Sequence, residues 1–267
     1  VLASFTITLK QTSEAEWTAP EATGVFVRAL FYELLRSKAP GLAEEIHGSS
    51  SDAPFTVSPM IRLRRSAEGE PPAYRVRFTT LTEPVFDAAC QAIYLLHTTG
   101  TPVRISKAEF EVQDLDFRRQ KRMCRLARYQ DLARGECERI IPFRFLTPTA
   151  FKNGKANVPL PIPRLMFGGY LRKWNTFAPE DLRIDESLLT EIEDSVLISR
   201  HDIRSRTLDL GAMKMVGFTG ECTLAASNGI RPESLRALNT LARFACFSGT
   251  GAKTTIGMGQ TAVESEE

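Results

Sequence analysis

The segment Phe247-Ser-Gly-Thr-Gly-Ala-Lys-Thr-Thr-Ile-Gly-Met-Gly259 sets Gly249, Gly251, Gly257 and Gly259 around a single cation, Lys253. Glycines at this density permit positive φ and let the backbone approach a neighbour closely. Bare N–H groups beside a lysine suit an anion, phosphate above all. The segment is not a Walker loop, because Ala252 stands where that loop has glycine before its lysine. It follows a helical pattern and leads to a short strand, the reverse of a dinucleotide-binding turn. The second candidate for chemistry is His47, since an imidazole can donate or accept a proton near neutral pH. Gly48-Ser-Ser-Ser-Asp52 follows it, a polar exit that leaves the ring within reach of a ligand. Tyr32, fifteen residues earlier, becomes its companion if the two intervening helical stretches form a hairpin. Ser49, Ser50 and Ser51 lack the G-x-S-x-G elbow of a serine nucleophile. His97 is expected to cap an apolar helix and His201 to lie on the surface of a charged strand.

Cations are unevenly distributed. Net charge is only +2, yet 25 of the 34 cations are Arg, the residue suited to bidentate phosphate contacts and to stacking on bases. Arg118-Arg-Gln-Lys-Arg-Met-Cys-Arg-Leu-Ala-Arg128 holds six cations and no acid, among them Arg118, Arg119, Lys121 and Arg122. Arg62 with Arg64, and Arg75 with Arg77, occupy alternate positions of two predicted strands, so each pair shares a face. With the glycine segment, these clusters point to a polyanionic partner.

These groups must be positioned by the remaining elements. With 43% hydrophobic and 25% charged residues in 267, the composition is that of a globular protein of one or two domains. No apolar run approaches the ~20 residues of a membrane span. The opening Val1-Leu-Ala-Ser-Phe-Thr-Ile-Thr-Leu-Lys10 alternates as a strand does and lacks the apolar block of a signal peptide. A cytoplasmic protein with no membrane association is expected. Cys90, Cys124, Cys137, Cys222 and Cys246 are odd in number and never in C-x-x-C spacing, which disfavours a disulfide framework and a zinc site. No metal and no cofactor are expected.

Along the chain, residues 3–10 read as a strand, Gly24 to Lys38 and Leu42 to His47 as helix, and Phe55 to Arg65 and Ala73 to Thr80 as strands. Glu83 to His97 then reads as helix and Val103 to Phe117 as one long strand. This is β-α-β-β-α-β, the ferredoxin-like order. It recurs as Arg139–Leu146, Leu165–Phe177, Ser195–Leu210, Ala212–Ala225, Pro232–Phe247 and Gln260–Val263. Glu264-Ser-Glu-Glu267 reads as an acidic tail. The expected fold is therefore α+β, with two tandem ferredoxin-like (βαββαβ) domains at residues 1–130 and 131–267. The aromatic RNP1 signature of RRM domains is absent from the sequence.

With that architecture, the His after the first helices and the terminal Gly-x-Gly…Gly-x-Gly segment, the chain resembles the CRISPR repeat-processing endoribonucleases of the RAMP superfamily. Ala39-Pro-Gly-Leu-Ala-Glu-Glu-Ile-His47 with Phe55-Thr-Val-Ser58 is similar to that family's catalytic region, and Ile141-Pro-Phe-Arg-Phe-Leu-Thr-Pro-Thr149 to the start of its second domain. The resemblance implies a metal-independent endoribonuclease that cuts CRISPR precursor RNA within each repeat. A ribose 2′-OH would attack the adjacent phosphorus, leaving 2′,3′-cyclic phosphate and 5′-OH ends. His47 would act as general acid or base beside Tyr32. Arg62, Arg64, the Arg118–Arg128 run and the glycine segment would hold the RNA. Some members carry a Lys six residues after the His, where this chain has Ala53, which leaves Arg62, Arg64 and Lys38 as alternatives for neutralising charge. Implied partners are the precursor RNA repeat, CRISPR effector-complex subunits and a second copy of the chain. The main alternative is a non-catalytic RNA-binding RAMP subunit of a CRISPR effector complex; a third reading, a ferredoxin-like metabolic enzyme binding a small phosphate compound, explains the glycine segment but not the Arg clusters.

Overall fold

The structure, a computed structural model, describes residues 1–13, 23–49, 52–64, 69–117, 124–210 and 214–263. The chain divides into two compact units. One is Val1–Leu126 with Thr255–Gly257; the other is Ala127–Thr254 with Met258 onward. The first unit thus takes three residues of the glycine segment.

In the first unit the elements are β1 (Leu2–Gln11), α1 (Gly24–Lys38), α2 (Pro40–Gly48), β2 (Phe55–Val57), β3 (Ile61–Arg62), β4 (Ala73–Thr80), α3 (Glu83–Thr99), β5 (Val103–Ile105), β6 (Ala108–Asp116) and β7 (Arg125–Ala127). Its sheet runs β2-β4-β1-β6-β5, with β3 also on β4 and β7 on β1. With β2 and β3 counted as one edge, this is the ferredoxin-like order. Two expected strands are broken. Phe55 to Arg65 is split at Ser58-Pro59-Met60, because Pro59 has no amide to continue the ladder. There the Ser58 hydroxyl accepts the Arg77 amide at 2.8 Å. Val103 to Phe117 is a hairpin that turns at Ser106, whose φ of 58° lies in the left-handed region.

Alternation along the strands sorts the two faces of this sheet. Phe5, Ile7, Leu9, Phe55, Val57, Val76 and Phe78 are buried in one core with Val27, Leu30, Phe31, Leu34 and Leu35 of α1 and Val85, Ala89 and Ile93 of α3. Each such large side chain contributes about 1.5–3 kcal/mol on burial. The opposite face carries a hydrogen-bonded polar row. Thr56 and Thr79 share a 2.7 Å hydroxyl bond, and Arg77 Nε donates to Ser4 Oγ at 2.8 Å. Arg77 is only 5% exposed, so it does not join Arg75 as a solvent-facing pair.

In the second unit the elements are α4 (Tyr129–Arg134), β8 (Ile140–Thr149), β9 (Phe151–Asn153), β10 (Ala156–Val158), α5 (Pro163–Phe177), α6 (Leu188–Ser195), β11 (Val196–Asp209), β12 (Lys214–Ala226), α7 (Pro232–Ser248) and β13 (Thr261–Val263). The main sheet runs β11-β12-β8-β13, again ferredoxin-like, and β9 pairs β10 in a small hairpin. Phe143 and Phe145 of β8, Phe218 of β12, Phe167, Tyr170 and Trp174 of α5 and Phe244 of α7 are fully buried. Pro stands at the start of α5 and α7, where a missing amide costs nothing. The structure is therefore α+β with two ferredoxin-like units.

Candidate active site

Tyr32 and His47 meet across a helical hairpin in the first unit. Ala39 is the hinge: with φ −142° and ψ 71° it leaves the helical region and serves as the last cap of α1 and the first of α2. Its own amide bonds back to the Leu35 carbonyl at 2.7 Å, and its carbonyl accepts the Ala43 amide at 3.0 Å. Pro40 then opens α2, pre-set in φ for a first helical position. The Ser49 amide closes α2 on the Glu45 carbonyl, which fixes His47 in its last turn.

In the resulting geometry the Tyr32 and His47 rings stand edge to face, with centroids 5.3 Å apart and planes at 89°. A second edge-to-face contact, 5.5 Å and 88°, holds Tyr32 on Phe55 of β2. Phe55 in turn packs on Phe31, centroids 4.5 Å apart with planes tilted by 34°, so the base of the site is core. Tyr32 is 8% exposed while His47 is exposed. A buried tyrosine thus sets the orientation of a solvent-facing imidazole. Chemically, the pair offers one proton donor or acceptor at the surface and one phenol beside it.

A third side chain completes this group. The Arg28 guanidinium carbon lies 5.4 Å from the Tyr32 ring centroid, inside the range of a cation–π contact. Arg28 precedes Tyr32 by one helical turn, and Gly24 precedes Arg28 by another, so all three lie along one face of α1. At Gly24 a Cβ would run into the Ile256 carbonyl and the Gly257 amide. This face of α1 therefore begins against Thr255–Gly257 and ends at His47. The i, i+4 spacing of Arg28 and Tyr32 was visible in the sequence, but their contact was not.

The glycine segment has a protein reason for its glycines. Gly249, Gly251, Gly257 and Gly259 all have positive φ. A Cβ on Gly251 would strike the Ala150 carbonyl, and one on Gly259 the Thr250 carbonyl. The amides of Gly249, Thr250, Ala252, Met258 and Gly259 are donated to carbonyls of the chain, so the run of bare N–H groups expected from the sequence is narrower than expected. Below the segment, the Thr250 hydroxyl bonds both Tyr170 Oη and Thr261 Oγ1 at 2.6 Å. Burial pushes the Tyr170 phenol well up from its ordinary value, so this network stays uncharged. Lys253 is exposed, with φ 62°, and projects a cation from an otherwise anchored loop.

Arg62 in β3 and Arg64 just beyond it are both exposed. Arg62 is in register with Tyr74 of β4. Arg118, Arg119, Lys121 and Arg122 lie outside the described residues, as do Ser50, Ser51 and the 264–267 tail. Ala53 packs, half-buried, against the core. His97 does not cap its helix: its Nδ1 sits 2.9 Å from the Val112 carbonyl of β6. His201 is exposed on β11. Among the described residues no group of three His, Cys, Asp or Glu side chains could hold a metal ion. No helix among them is long and apolar enough to cross a membrane.

The family model for the CRISPR-associated endoribonuclease Cas6 matches residues 143–261. A CRISPR-associated endoribonuclease Cas6 of Mycobacterium tuberculosis is 32% identical over 127 residues, 45% of this chain and 37% of that protein. One of Streptococcus thermophilus is 26% identical over 121 residues, 45% of this chain and 49% of that protein. The match thus spans less than half the length of these curated relatives. Solved structures align along the whole chain. A Cas6 product complex has a TM-score of 0.84 at 25% identity, covering 99% of this chain and 100% of that one. A Cas6 substrate-mimic complex has a TM-score of 0.75 at 25% identity, covering 98% and 99%. Family model, curated relatives and solved structures thus converge on Cas6, to which this chain is similar in sequence across residues 143–261 and in fold along its whole length.

Proposed function

We propose that this protein is an endoribonuclease that cuts CRISPR precursor RNA within the repeat, and that it does so without a metal ion. The observation that carries the reading is the pairing of an exposed His47 with a buried Tyr32, edge to face at 5.3 Å, on a scaffold shared with Cas6 proteins solved with product and with a substrate mimic.

The reaction is internal transfer at phosphorus. A 2′-oxygen forms a bond to the adjacent phosphorus as its proton leaves. The bond from phosphorus to the 5′-oxygen breaks, and that oxygen takes up a proton. The products are a 2′,3′-cyclic phosphate and a 5′-OH, with no redox change and no water consumed. One imidazole can perform either proton transfer, an effect of about 10²–10⁴-fold. In this reading the Tyr32 hydroxyl orients the 2′-OH or assists its deprotonation. Arg62, Arg64, Lys253 and the cations of 118–122 hold the repeat backbone as phosphate contacts, which makes binding strongly salt-dependent.

The test is incubation of the purified protein with end-labelled RNA of its source genome's CRISPR repeat in excess EDTA. The expected result is a single cut bearing a cyclic phosphate. Tight binding without a cut would replace the enzyme by a non-catalytic RNA-binding subunit of a CRISPR effector complex.

A further inference from the structure

We propose that Arg28 is the cation of this site, the group that meets the scissile phosphate and neutralises the charge gained in the phosphorane. The inference rests on reading Tyr32 and His47 as the cleavage pair. The need for it comes from the chain itself. The chemistry requires a fixed positive charge beside the imidazole, and the position six residues after His47 is Ala53, an uncharged side chain half-buried against the core.

Of the cations weighed from the sequence, Arg62 and Arg64 stand on and just after β3, and Lys38 ends α1 more than a turn past Tyr32. Arg28 is the one whose head group the structure places against the Tyr32 ring, 5.4 Å from its centroid. That ring also has His47 at 5.3 Å, so guanidinium and imidazole flank one phenol. Arg28 is half-buried, packed along α1, and pairs with no carboxylate among the described residues. Contact with an aromatic face restricts a guanidinium without occupying its N–H donors. The fork therefore remains available for two parallel bonds to phosphate oxygens. A charge held in place before the reaction is what stabilises a transition state without reorganisation.

The stripe Gly24, Arg28, Tyr32 adds a direction. Its steps are one helical turn, about 6 Å each. It starts where Gly24 lies under Ile256 and Gly257 and ends at the His47 pair. Arg28 is the midpoint of that line, so an RNA strand following α1 from the glycine segment passes the guanidinium before it reaches the imidazole.

The experiment compares wild type, His47→Ala, Arg28→Ala and Arg28→Lys in single-turnover cleavage at saturating protein, with RNA affinity measured by filter binding and folding by thermal melting. Arg28→Ala is expected to slow the cleavage step about 10²–10³-fold, with affinity changed by no more than about threefold. Arg28→Lys is expected to recover roughly tenfold of the loss, since a lysine restores charge but not the fork. A rate within about threefold of wild type for Arg28→Ala would overturn the assignment. So would rate, affinity and melting temperature falling together with Arg28→Lys no better than alanine, which marks a packing role. A wild-type protein that binds RNA but never cuts it would sink the cleavage reading and this assignment with it. His47→Ala inactive beside a fully active Arg28→Ala would sink this assignment alone.

Discussion

Lys173 of α5 donates from Nζ to the Ser248 carbonyl at 2.6 Å, at the last residue of α7 and the threshold of the glycine segment. The same ammonium lies 3.2 Å from Thr254 Oγ1, six residues further on. Only 6% of Lys173 is exposed. A buried cation thus satisfies the carbonyl end of a helix, where the dipole favours positive charge, and spans the turn that Gly249 and Gly251 make.

Replacing Lys173 by Met keeps the aliphatic stem and removes this cation. The Ser248 carbonyl and the Thr254 hydroxyl then lose a buried donor, a loss of about 1–3 kcal/mol. Denaturant unfolding should show a lower midpoint by that amount. An unchanged midpoint would mean that water replaces the ammonium at no cost.

His47→Ala should abolish cleavage while RNA affinity stays within about threefold of wild type, because one exposed imidazole adds little to a contact dominated by phosphates. Tyr32→Phe keeps the ring that touches His47 and Phe55. Its rate should fall about 10²-fold if the hydroxyl takes part in proton transfer. A Tyr32→Phe rate equal to wild type would reduce Tyr32 to a support for the imidazole.

The glycine segment separates structure from binding in a paired test. Gly251→Ala places a methyl on the Ala150 carbonyl at a φ of +77° and should destabilise the protein by at least about 2 kcal/mol, from clash and backbone strain together. Lys253→Ala alters an exposed side chain and should leave stability within about 0.5 kcal/mol. It should instead weaken RNA binding and lower the slope of log affinity against log salt by about 1. An unaltered slope would remove Lys253 from the RNA path.

Acid stability should carry the mark of Glu191. Its carboxylate accepts the Arg231 amide at 2.8 Å, two guanidinium bonds at 2.6 and 2.8 Å, and the Ser234 hydroxyl at 2.6 Å. The Arg231 bonds foremost, with Ser234, bring the carboxyl from 4.5 down to about 2. A lowered carboxyl stabilises the folded state fully above pH 4.5, and this contribution disappears as pH falls toward 2. Thermal melts of wild type and Glu191→Gln should differ at pH 7 and converge between pH 4.5 and 2. Arg231 is more than half exposed, so salt will shrink the gap. A gap constant with pH would show that the hydrogen bonds matter and the charge does not.

Much of this fold was legible from local pattern. The 3.6-residue period of α1 and α7 and the two-residue period of β1 and β4 report which side chains face a core. Pro40, Pro232 and Gly100 punctuate them at the places where amides or left-handed turns are needed. The doubled β-α-β-β-α-β order follows from those elements in sequence. Breaks such as Ser58-Pro59-Met60 and the hairpin at Ser106 were hidden, because alternation continues across a short interruption and so looks like a single strand.

At the site the division is similar. Side-chain type and spacing marked His47, Tyr32 and the glycine segment, since few residues can move a proton or tolerate positive φ. They could not show that the glycines press on the Ala150 and Thr250 carbonyls, that Arg77 is buried against Ser4, or that Lys173 holds Ser248. Of these contacts, Gly259 with Thr250 joins residues 9 positions apart and the others join residues 73 to 101 apart. A pattern within one helix or strand records only which face a residue occupies; which group from elsewhere in the chain it meets on that face is decided when the layers pack.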